Sequence, residues 1–215
     1  MKIKHGMILA AGLGKRMNPI TLKTPKPLIK IGNKNLLERA IELLIGHGVK
    51  EIAINVHHLA DQIKDFINQK KYKVKIIISH EQNTLLDTGG GVLQATRSFK
   101  EPFVVINPDT LWNKSYFNEL KVLEDLYFKQ KKSCLLLVNK NLSFDSSFKG
   151  DFNLNANIVS RDDSNEFIFT GLQILDQSVF NSIKDKIFSM NKIWDNLIKN
   201  KNLFGIQSKQ KFYHL

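Results

Sequence analysis

The chain has 215 residues, 42% hydrophobic and 24% charged, a composition typical of a single globular domain. It has no apolar run of about 18 residues and no signal-peptide pattern, so we expect no membrane span and a cytoplasmic location. One cysteine, Cys134, excludes a disulfide framework. The formal charge is +12, but only four of the 32 cationic residues are arginine and the lysines are scattered, which favours a solvated basic surface over a nucleic-acid-binding patch.

Short apolar runs alternate with helical patterns through the first two thirds of the chain. Strands are predicted at 7–10, 51–56, 74–78, 102–106 and 133–138, and helices at 35–46, 59–67, 91–96 and 116–128. Repeated strand–helix units form parallel sheets with helices on both faces. We therefore predict an α/β fold, a Rossmann-like three-layer sandwich with a mostly parallel, mixed sheet.

The pattern changes at about residue 140. Polar, turn-rich stretches at 143–147 and 160–166 precede a predicted strand at 168–175 and predicted helices at 179–187 and 192–198. We expect this region to form a small, partly antiparallel lobe beside a cleft. The single domain of residues 1–215 would then have a larger part at about 1–139 and a smaller part at about 140–215.

A glycine-rich segment follows the first predicted strand and reads Leu-Ala-Ala-Gly-Leu-Gly-Lys-Arg-Met-Asn-Pro over residues 9–19. Gly12 and Gly14 lack a Cβ atom, so backbone amides there can approach a polyphosphate, and Lys15 and Arg16 add positive charge. Met17 occupies the third glycine position of a dinucleotide fingerprint, and the spacing does not fit a Walker loop. A plain strand-to-helix turn is the alternative.

A lysine between two prolines follows this loop. Pro25 and Pro27 restrict the backbone on both sides of Lys26, so it is extended and pre-ordered there. A surface turn is the alternative interpretation. Beside a glycine loop that carries its own cations, however, the segment indicates a site for a triphosphate.

The pattern L-A-A-G-x-G-x-R-M-x-P, followed by P-K-P-L, resembles the signature of the sugar-1-phosphate nucleotidylyltransferases. These enzymes join a sugar 1-phosphate to a nucleoside triphosphate and release pyrophosphate. The resemblance implies the nucleotide-diphospho-sugar transferase fold, with the nucleotide bound by residues 1–139 and the sugar by residues 140–215. It implies catalytic triphosphate contacts from Arg16 and Lys26, in a nucleotide pocket that also includes Ala11, Gly12, Gly14 and Lys15.

Residues 87–91 read Asp-Thr-Gly-Gly-Gly. A flat base can lie on bare glycine backbone, where exposed amides read its edge; a flexible turn is the alternative. The resemblance implies nucleotide contacts from Asp87, Thr88, Gly89 and Gly90. This form of the segment is similar to that of uridylyltransferases acting on N-acetylmuramate 1-phosphate, and guanylyltransferases for mannose or heptose phosphates carry similar glycine turns.

Asp109 follows a predicted strand, at the edge where open α/β sheets bind ligands. Its carboxylate can hold Mg²⁺ together with phosphate oxygens, although an Asx turn is the alternative. The resemblance implies that Asp109 is a catalytic metal ligand and that Asn107 approaches the sugar. Pro108 stands where the family usually has glycine.

Later segments carry weaker similarity to the family. Lys-Gly-Asp-Phe includes Asp151, and Phe-Thr-Gly-Leu includes Thr170 and Gly171. The resemblance implies that these three residues face the sugar, whereas ordinary loop positions are the alternative. At the position of His214 the family usually has an aspartate that is a second metal ligand. Either His214 binds the metal through its imidazole, or that contact is lost, or the chain lacks its closing helix.

These features together predict Mg²⁺-dependent uridylyl transfer from UTP to N-acetylmuramate 1-phosphate, in cell-wall sugar recycling. Such chemistry needs positioning and charge neutralisation and no covalent nucleophile. Guanylyl transfer to mannose or heptose 1-phosphate and nucleotide sensing without catalysis are the alternatives; nucleic-acid binding rests on the net charge alone. The expected partners are small molecules, and the chain is expected to be a monomer or a homo-oligomer.

Overall fold

A computed structural model of the chain describes residues 2–215. The strands are β1 (His5–Leu9), β2 (Lys30–Ile31), β3 (Lys34–Asn35), β4 (Glu51–Val56), β5 (Lys75–His80), β6 (Phe103–Ile106), β7 (Ser133–Asn139), β8 (Asn153–Asn155), β9 (Ile158–Ser160), β10 (Phe167–Leu175) and β11 (Leu203–Ser208). The α-helices are α1 (Leu36–His47), α2 (Ala60–Lys70), α3 (Asp87–Ala95), α4 (Tyr116–Gln130) and α5 (Met190–Lys199).

Nine strands of the described residues form one mixed sheet in the order β5-β4-β1-β6-β10-β7-β11-β9-β8. Strands β5, β4, β1 and β6 are parallel to one another. Strand β10 runs antiparallel between β6 and β7, and β11 is parallel to β7. The predicted mixed, mostly parallel sheet is confirmed. Since the chain continues from β1 to β4 on one side and returns to β6 on the other, a crevice opens at the carboxyl ends of these strands.

Two apolar clusters fill the space between the sheet and the helices. Adjacent residues of a strand face opposite sides, so Ile8 packs in the cluster with α1, α2 and α4, whereas Met7 packs in the cluster with α3 and α5. Both side chains are fully buried. The helices therefore cover both faces, as the three-layer prediction required.

Local signals in the sequence fix the ends of the first helix. The side chain of Asn35 accepts a hydrogen bond from the Glu38 amide at 2.7 Å, which caps the amino end of α1. Gly48 ends the helix in a left-handed conformation with φ 106°. Leu36, the first residue of α1, lies at the edge of the crevice.

The second part of the chain differs most from the prediction. Residues 140–215 do not build a separate sheet, because β10 and β11 join the central one. No strand was predicted at β11, and the helix predicted at 179–187 is wrong: a short 3-10 helix (Gln177–Phe180) is followed by turns up to α5. Residues 184–187 are all exposed, with Ile187 at 55%, so the second half of that segment has no buried apolar face that would stabilise a helix. The functional division at residue 139 stays a prediction.

Among residues 2–215, every helix is too short or too polar to span a bilayer.

Candidate active site

A cavity of about 270 Å³ lies at the carboxyl ends of β1, β4 and β6. Its wall includes residues 9–12, Lys26, Asn55, residues 87–88 and residues 107–109. The fold thus brings the glycine loop, the proline-flanked lysine and the predicted base and metal segments to one place. These segments are far apart in the chain and meet because each follows or precedes a neighbouring element of the sheet.

The glycine loop packs directly on the Lys26 segment. Gly14 has φ +63°, and a Cβ there would lie 2.8 Å from Cγ2 of Thr21 and 3.2 Å from Cβ of Lys26. The buried hydroxyl of Thr21 donates to the Gly14 carbonyl at 2.9 Å and ties the two turns together. Glycine is therefore required at position 14 for both backbone conformation and space. The two parts of the predicted triphosphate site are in contact.

Three predicted nucleotide-binding residues of the glycine loop, Gly14, Lys15 and Arg16, are not part of the cavity wall. Lys15 and Arg16 are exposed on a short 3-10 helix (Lys15–Met17) that follows the loop. Ala11 and Gly12 do line the cavity, and a Cβ on Gly12 would meet no atom within 4 Å. The triphosphate contact of Arg16 stays a prediction.

Asp109 is the electrostatic centre of the site. Its Oδ2 atom accepts a hydrogen bond from Nζ of Lys26 at 2.8 Å and lies 3.2 Å from Nε2 of His214. Burial alone would raise the pKa of Asp109, but the hydrogen bond from His214 and the charge of Lys26 outweigh it and lower the pKa to about 2. The carboxylate is therefore ionised at neutral pH. Its other oxygen, Oδ1, is buried without a hydrogen-bond partner in the described residues.

The final residues form a short extended segment against the Asp109 loop. The amide of Leu111 donates to the Tyr213 carbonyl at 2.9 Å, and the amide of Leu215 donates to the Asp109 carbonyl at 3.0 Å. Thr110 and His214 pair as an antiparallel bridge. This pairing brings the imidazole of His214 beside Asp109, in the place where the sequence comparison with the family expected a second metal ligand.

The glycine triplet has a different environment from the one predicted. Helix α3 begins at Asp87, so the glycines lie within its first turns and not before it. The amides of Gly89 and Gly90 donate to the Phe188 carbonyl at 2.9 and 3.1 Å, and both residues are buried. The prediction of exposed glycine amides is therefore wrong. In this segment Asp87 and Thr88, which are exposed, line the cavity.

A buried polar pair that was not among the predicted site residues supports the cavity from behind. Oδ1 of Asn55 accepts from the Ala10 amide at 2.8 Å, and its Nδ2 donates to Oε1 of Glu81 at 2.7 Å. The other carboxylate oxygen of Glu81 accepts from the Leu86 amide at 2.8 Å. The pair thereby joins the glycine loop to the start of α3. An acidic residue directly after strand β5 was the available signal.

The residues predicted to face the sugar lie in unlike environments. Gly171, at φ +89°, forms a bulge against Asn107, which lines the cavity. The hydroxyl of Thr170 is buried and donates to the Leu136 carbonyl at 2.8 Å, so it is not available to a sugar, and we correct its predicted role to a structural one. Asp151 is exposed overall and accepts from the Phe169 amide at 2.9 Å, and partial desolvation of its carboxylate raises its pKa. The sugar contacts of Asn107, Asp151 and Gly171 stay predictions.

Comparisons with known proteins agree with this geometry. Residues 5–141 match the family described as nucleotidyl transferase. The N-acetylmuramate alpha-1-phosphate uridylyltransferase of Caulobacter vibrioides is 28% identical over 99% of this chain and 91% of its own. The enzyme of the same description from Neisseria meningitidis serogroup B is 33% identical over 83% of this chain and 78% of its own. The structure of HddC from Yersinia pseudotuberculosis complexed with GMP-PN is 24% identical, covers 99% of this chain and 93% of that chain, and has a TM-score of 0.78.

The mixed sheet and the cavity at its topological switch define a protein of the nucleotide-diphospho-sugar transferase fold. The match covers more than half of the chain, and the chain belongs to the nucleotidyl transferase family. Its relatives and its site define it as a sugar-1-phosphate nucleotidyltransferase.

Proposed function

We propose that the chain transfers a uridylyl group from UTP to N-acetylmuramate 1-phosphate with the help of Mg²⁺, in cell-wall sugar recycling. The observation that carries the proposal is the cavity in which the glycine loop, Lys26 and Asp109 meet. The similarity to two uridylyltransferases over most of the chain supports the choice of base and sugar. As a small-molecule enzyme without a membrane span in its described helices, it would work in the cytoplasm.

The reaction is an in-line displacement. An oxygen of the sugar phosphate attacks the α-phosphorus of the nucleotide, the bond from that phosphorus to the bridging oxygen breaks, and pyrophosphate leaves. Backbone amides of residues 11–12 lie where they can hold the phosphates. Nζ of Lys26 donates to Asp109 and to the Leu215 carbonyl, so one of its three protons remains for a phosphate oxygen. Lys26 thereby orients the nucleotide and reduces repulsion from the incoming phosphate.

Asp109 offers a suitable place for the metal. A buried carboxylate oxygen without a partner is the donor type that Mg²⁺ prefers, and the ionised state of Asp109 supplies the charge. When bound there, Mg²⁺ would neutralise charge on the phosphate oxygens during transfer. Asp109, with the adjacent His214, would hold the ion, and phosphate oxygens and water would complete its ligands.

Two other functions have an observation in their favour. Guanylyl transfer to mannose or heptose 1-phosphate is favoured by the similar fold of HddC, which was solved with GMP-PN. Nucleotide sensing without catalysis is favoured by the imidazole of His214 at a place where a second carboxylate would hold a metal. The three functions differ in the nucleotide consumed and in whether pyrophosphate is formed.

The test is an assay of pyrophosphate release with Mg²⁺ and each combination of UTP, GTP, CTP or dTTP with N-acetylmuramate, glucose, mannose or heptose 1-phosphate. We expect the highest kcat/KM with UTP and N-acetylmuramate 1-phosphate. Turnover with GTP and none with UTP would replace the proposed base. Tight UTP binding without pyrophosphate from any pair would establish the sensing function instead. Asp109→Asn is the control for activity from contaminating enzymes.

A further inference from the structure

Asp109 and His214 present one carboxylate and one imidazole to the same point beside the cavity. Nε2 of His214 lies 3.2 Å from Oδ2 of Asp109. Two neighbouring ligands that are each about 2.1 Å from an octahedral ion lie about 3 Å apart. The two side chains therefore already have the spacing of two ligands of one divalent ion. Such an ion would replace the hydrogen bond between them and would share the Asp109 carboxylate, whose Oδ1 atom has no hydrogen-bond partner within residues 2–215, with Lys26.

The imidazole of His214 is held in place by its surroundings. The edge of its ring packs against Phe148 with 5.6 Å between centroids, and Phe212 stacks on it at 6.0 Å with 25° between the planes. Its backbone is paired with Thr110 in the Asp109 loop. These two aromatic contacts and the backbone pairing hold the ring with its Nε2 atom beside the carboxylate, and a defined ring orientation favours metal binding.

Few other metal ligands are present. Among residues 2–215, groups of three or more histidine, cysteine, aspartate or glutamate side chains that could share an ion are absent. Lys26 also donates to Oδ2 of Asp109 and neutralises part of its charge. The protein therefore supplies about one negative charge and one nitrogen ligand, and phosphate oxygens and water must provide the rest.

We propose that His214 makes this site select Co²⁺, a transition-metal ion of borderline hardness, over Mg²⁺, with the harder Mn²⁺ between the two. The proposal rests on the proposed nucleotidyl transfer. Mg²⁺ is bound mainly through charged oxygen ligands, whereas affinity for imidazole nitrogen rises from Mn²⁺ to Co²⁺ along the transition series. A neutral nitrogen at this position weakens Mg²⁺ more than Co²⁺. Mg²⁺ still supports transfer at high concentration, because the nucleotide supplies most of its ligands.

The first test is spectroscopic and needs no turnover. Pulsed electron paramagnetic resonance of Mn²⁺, bound to the full chain with a non-hydrolysable UTP analogue, detects coupling to a ¹⁴N nucleus of an imidazole ligand. We expect this coupling in the wild-type protein and in His5→Asn, whose histidine lies at the opposite end of β1 from the cavity. We expect none in His214→Asp.

The second test compares metal affinities. Calorimetric titration with the same analogue gives the ratio of the apparent Kd for Mg²⁺ to that for Co²⁺. We expect His214→Asp to lower this ratio by about tenfold or more relative to wild type, since an oxygen ligand replaces nitrogen. Because both proteins bind the same nucleotide analogue, the comparison cancels the analogue's own preference between Mg²⁺ and Co²⁺. An unchanged ratio, or wild-type Mn²⁺ that shows no ¹⁴N coupling or does not bind, would overturn the inference.

The outcomes separate this inference from the proposed function. Nitrogen coupling without pyrophosphate release from any substrate pair would refute the proposed transfer and leave the metal preference standing. Turnover with UTP and no nitrogen coupling would refute the metal preference alone. If His214→Asp does not fold, the wild-type spectrum decides.

Discussion

The contact between α3 and the segment before α5 leads to a prediction that opposes helix propensity. Gly90 lies in the first turns of α3, where alanine is favoured over glycine by about 1 kcal/mol. A Cβ at this position would clash with the backbone carbonyl of Lys186, which cannot swing away as a side chain can. Gly90→Ala therefore forces residues 186–188 to move from the helix.

The cost of this movement can be compared with the gain in propensity. The hydrogen bonds from the Gly89 and Gly90 amides to the Phe188 carbonyl would weaken, at about 0.5–1.5 kcal/mol each. Phe188 is 6% exposed, and partial loss of its burial adds about 1 kcal/mol out of the 1.5–3 for a full side chain. The losses total about 3 kcal/mol against a gain of about 1 kcal/mol. We expect Gly90→Ala to lower the free energy of unfolding by about 2 kcal/mol.

Urea unfolding followed by circular dichroism measures this difference. Gly12→Ala is the matched control, because a Cβ at Gly12 meets no atom within 4 Å. The control should unfold within about 0.5 kcal/mol of wild type, as substitutions in open positions do. If Gly90→Ala is as stable as wild type or more stable, the helix propensity of alanine outweighs the lost contacts, and residues 186–188 do not pack on α3 as described.

Further variants test the site. In Gly12→Ala the added methyl group enters the cavity, so calorimetry should show UTP-analogue binding weakened by about tenfold; unchanged affinity would place the triphosphate elsewhere. Asp109→Asn should lower kcat in the pyrophosphate assay by about 100-fold or more, and an unaltered kcat would remove Asp109 from catalysis. Lys26→Met should weaken the same binding by about tenfold at constant ionic strength, since a charge-assisted contact is lost, and equal affinity would contradict its role. Asn55→Ala should lower the free energy of unfolding by about 2–3 kcal/mol, because Glu81 and the Ala10 amide lose a buried partner. A loss below about 0.5 kcal/mol would show that Asn55 does not form these two buried hydrogen bonds.

The front of the fold could be predicted because its signals are local. The strand predicted at 51–56 is observed with the same bounds, and α1 differs from its prediction by one residue at each end. Hydrophobic periodicity, an asparagine cap and a terminal glycine identify such elements without knowledge of their neighbours. The glycine loop and the Lys26 segment, which line one cavity, were likewise recognisable, because each is a short contiguous pattern in the sequence.

The errors concern segments whose conformation depends on distant partners. The helix predicted at 179–187 is replaced by turns whose carbonyl at Phe188 binds the amides of α3, nearly a hundred residues earlier. The same contact explains why Gly89 and Gly90 are small and buried. An isolated glycine triplet looks the same whether a base or a protein segment covers it, and only the tertiary contact distinguishes the two.

His214 shows how a local pattern and a distant pairing combine to define a site. The sequence shows that His214 stands two positions after the aromatic residue Phe212, but it does not show which side chains the imidazole faces. The answer comes from strand pairing: with Thr110 opposite His214, the side chains of Phe212 and His214 share one face, where both contact Phe148. Tyr213 points the other way, toward Phe144. A shift of one residue would exchange these faces and turn the imidazole away from Asp109, so the register of a few residues determines whether an imidazole nitrogen faces that carboxylate.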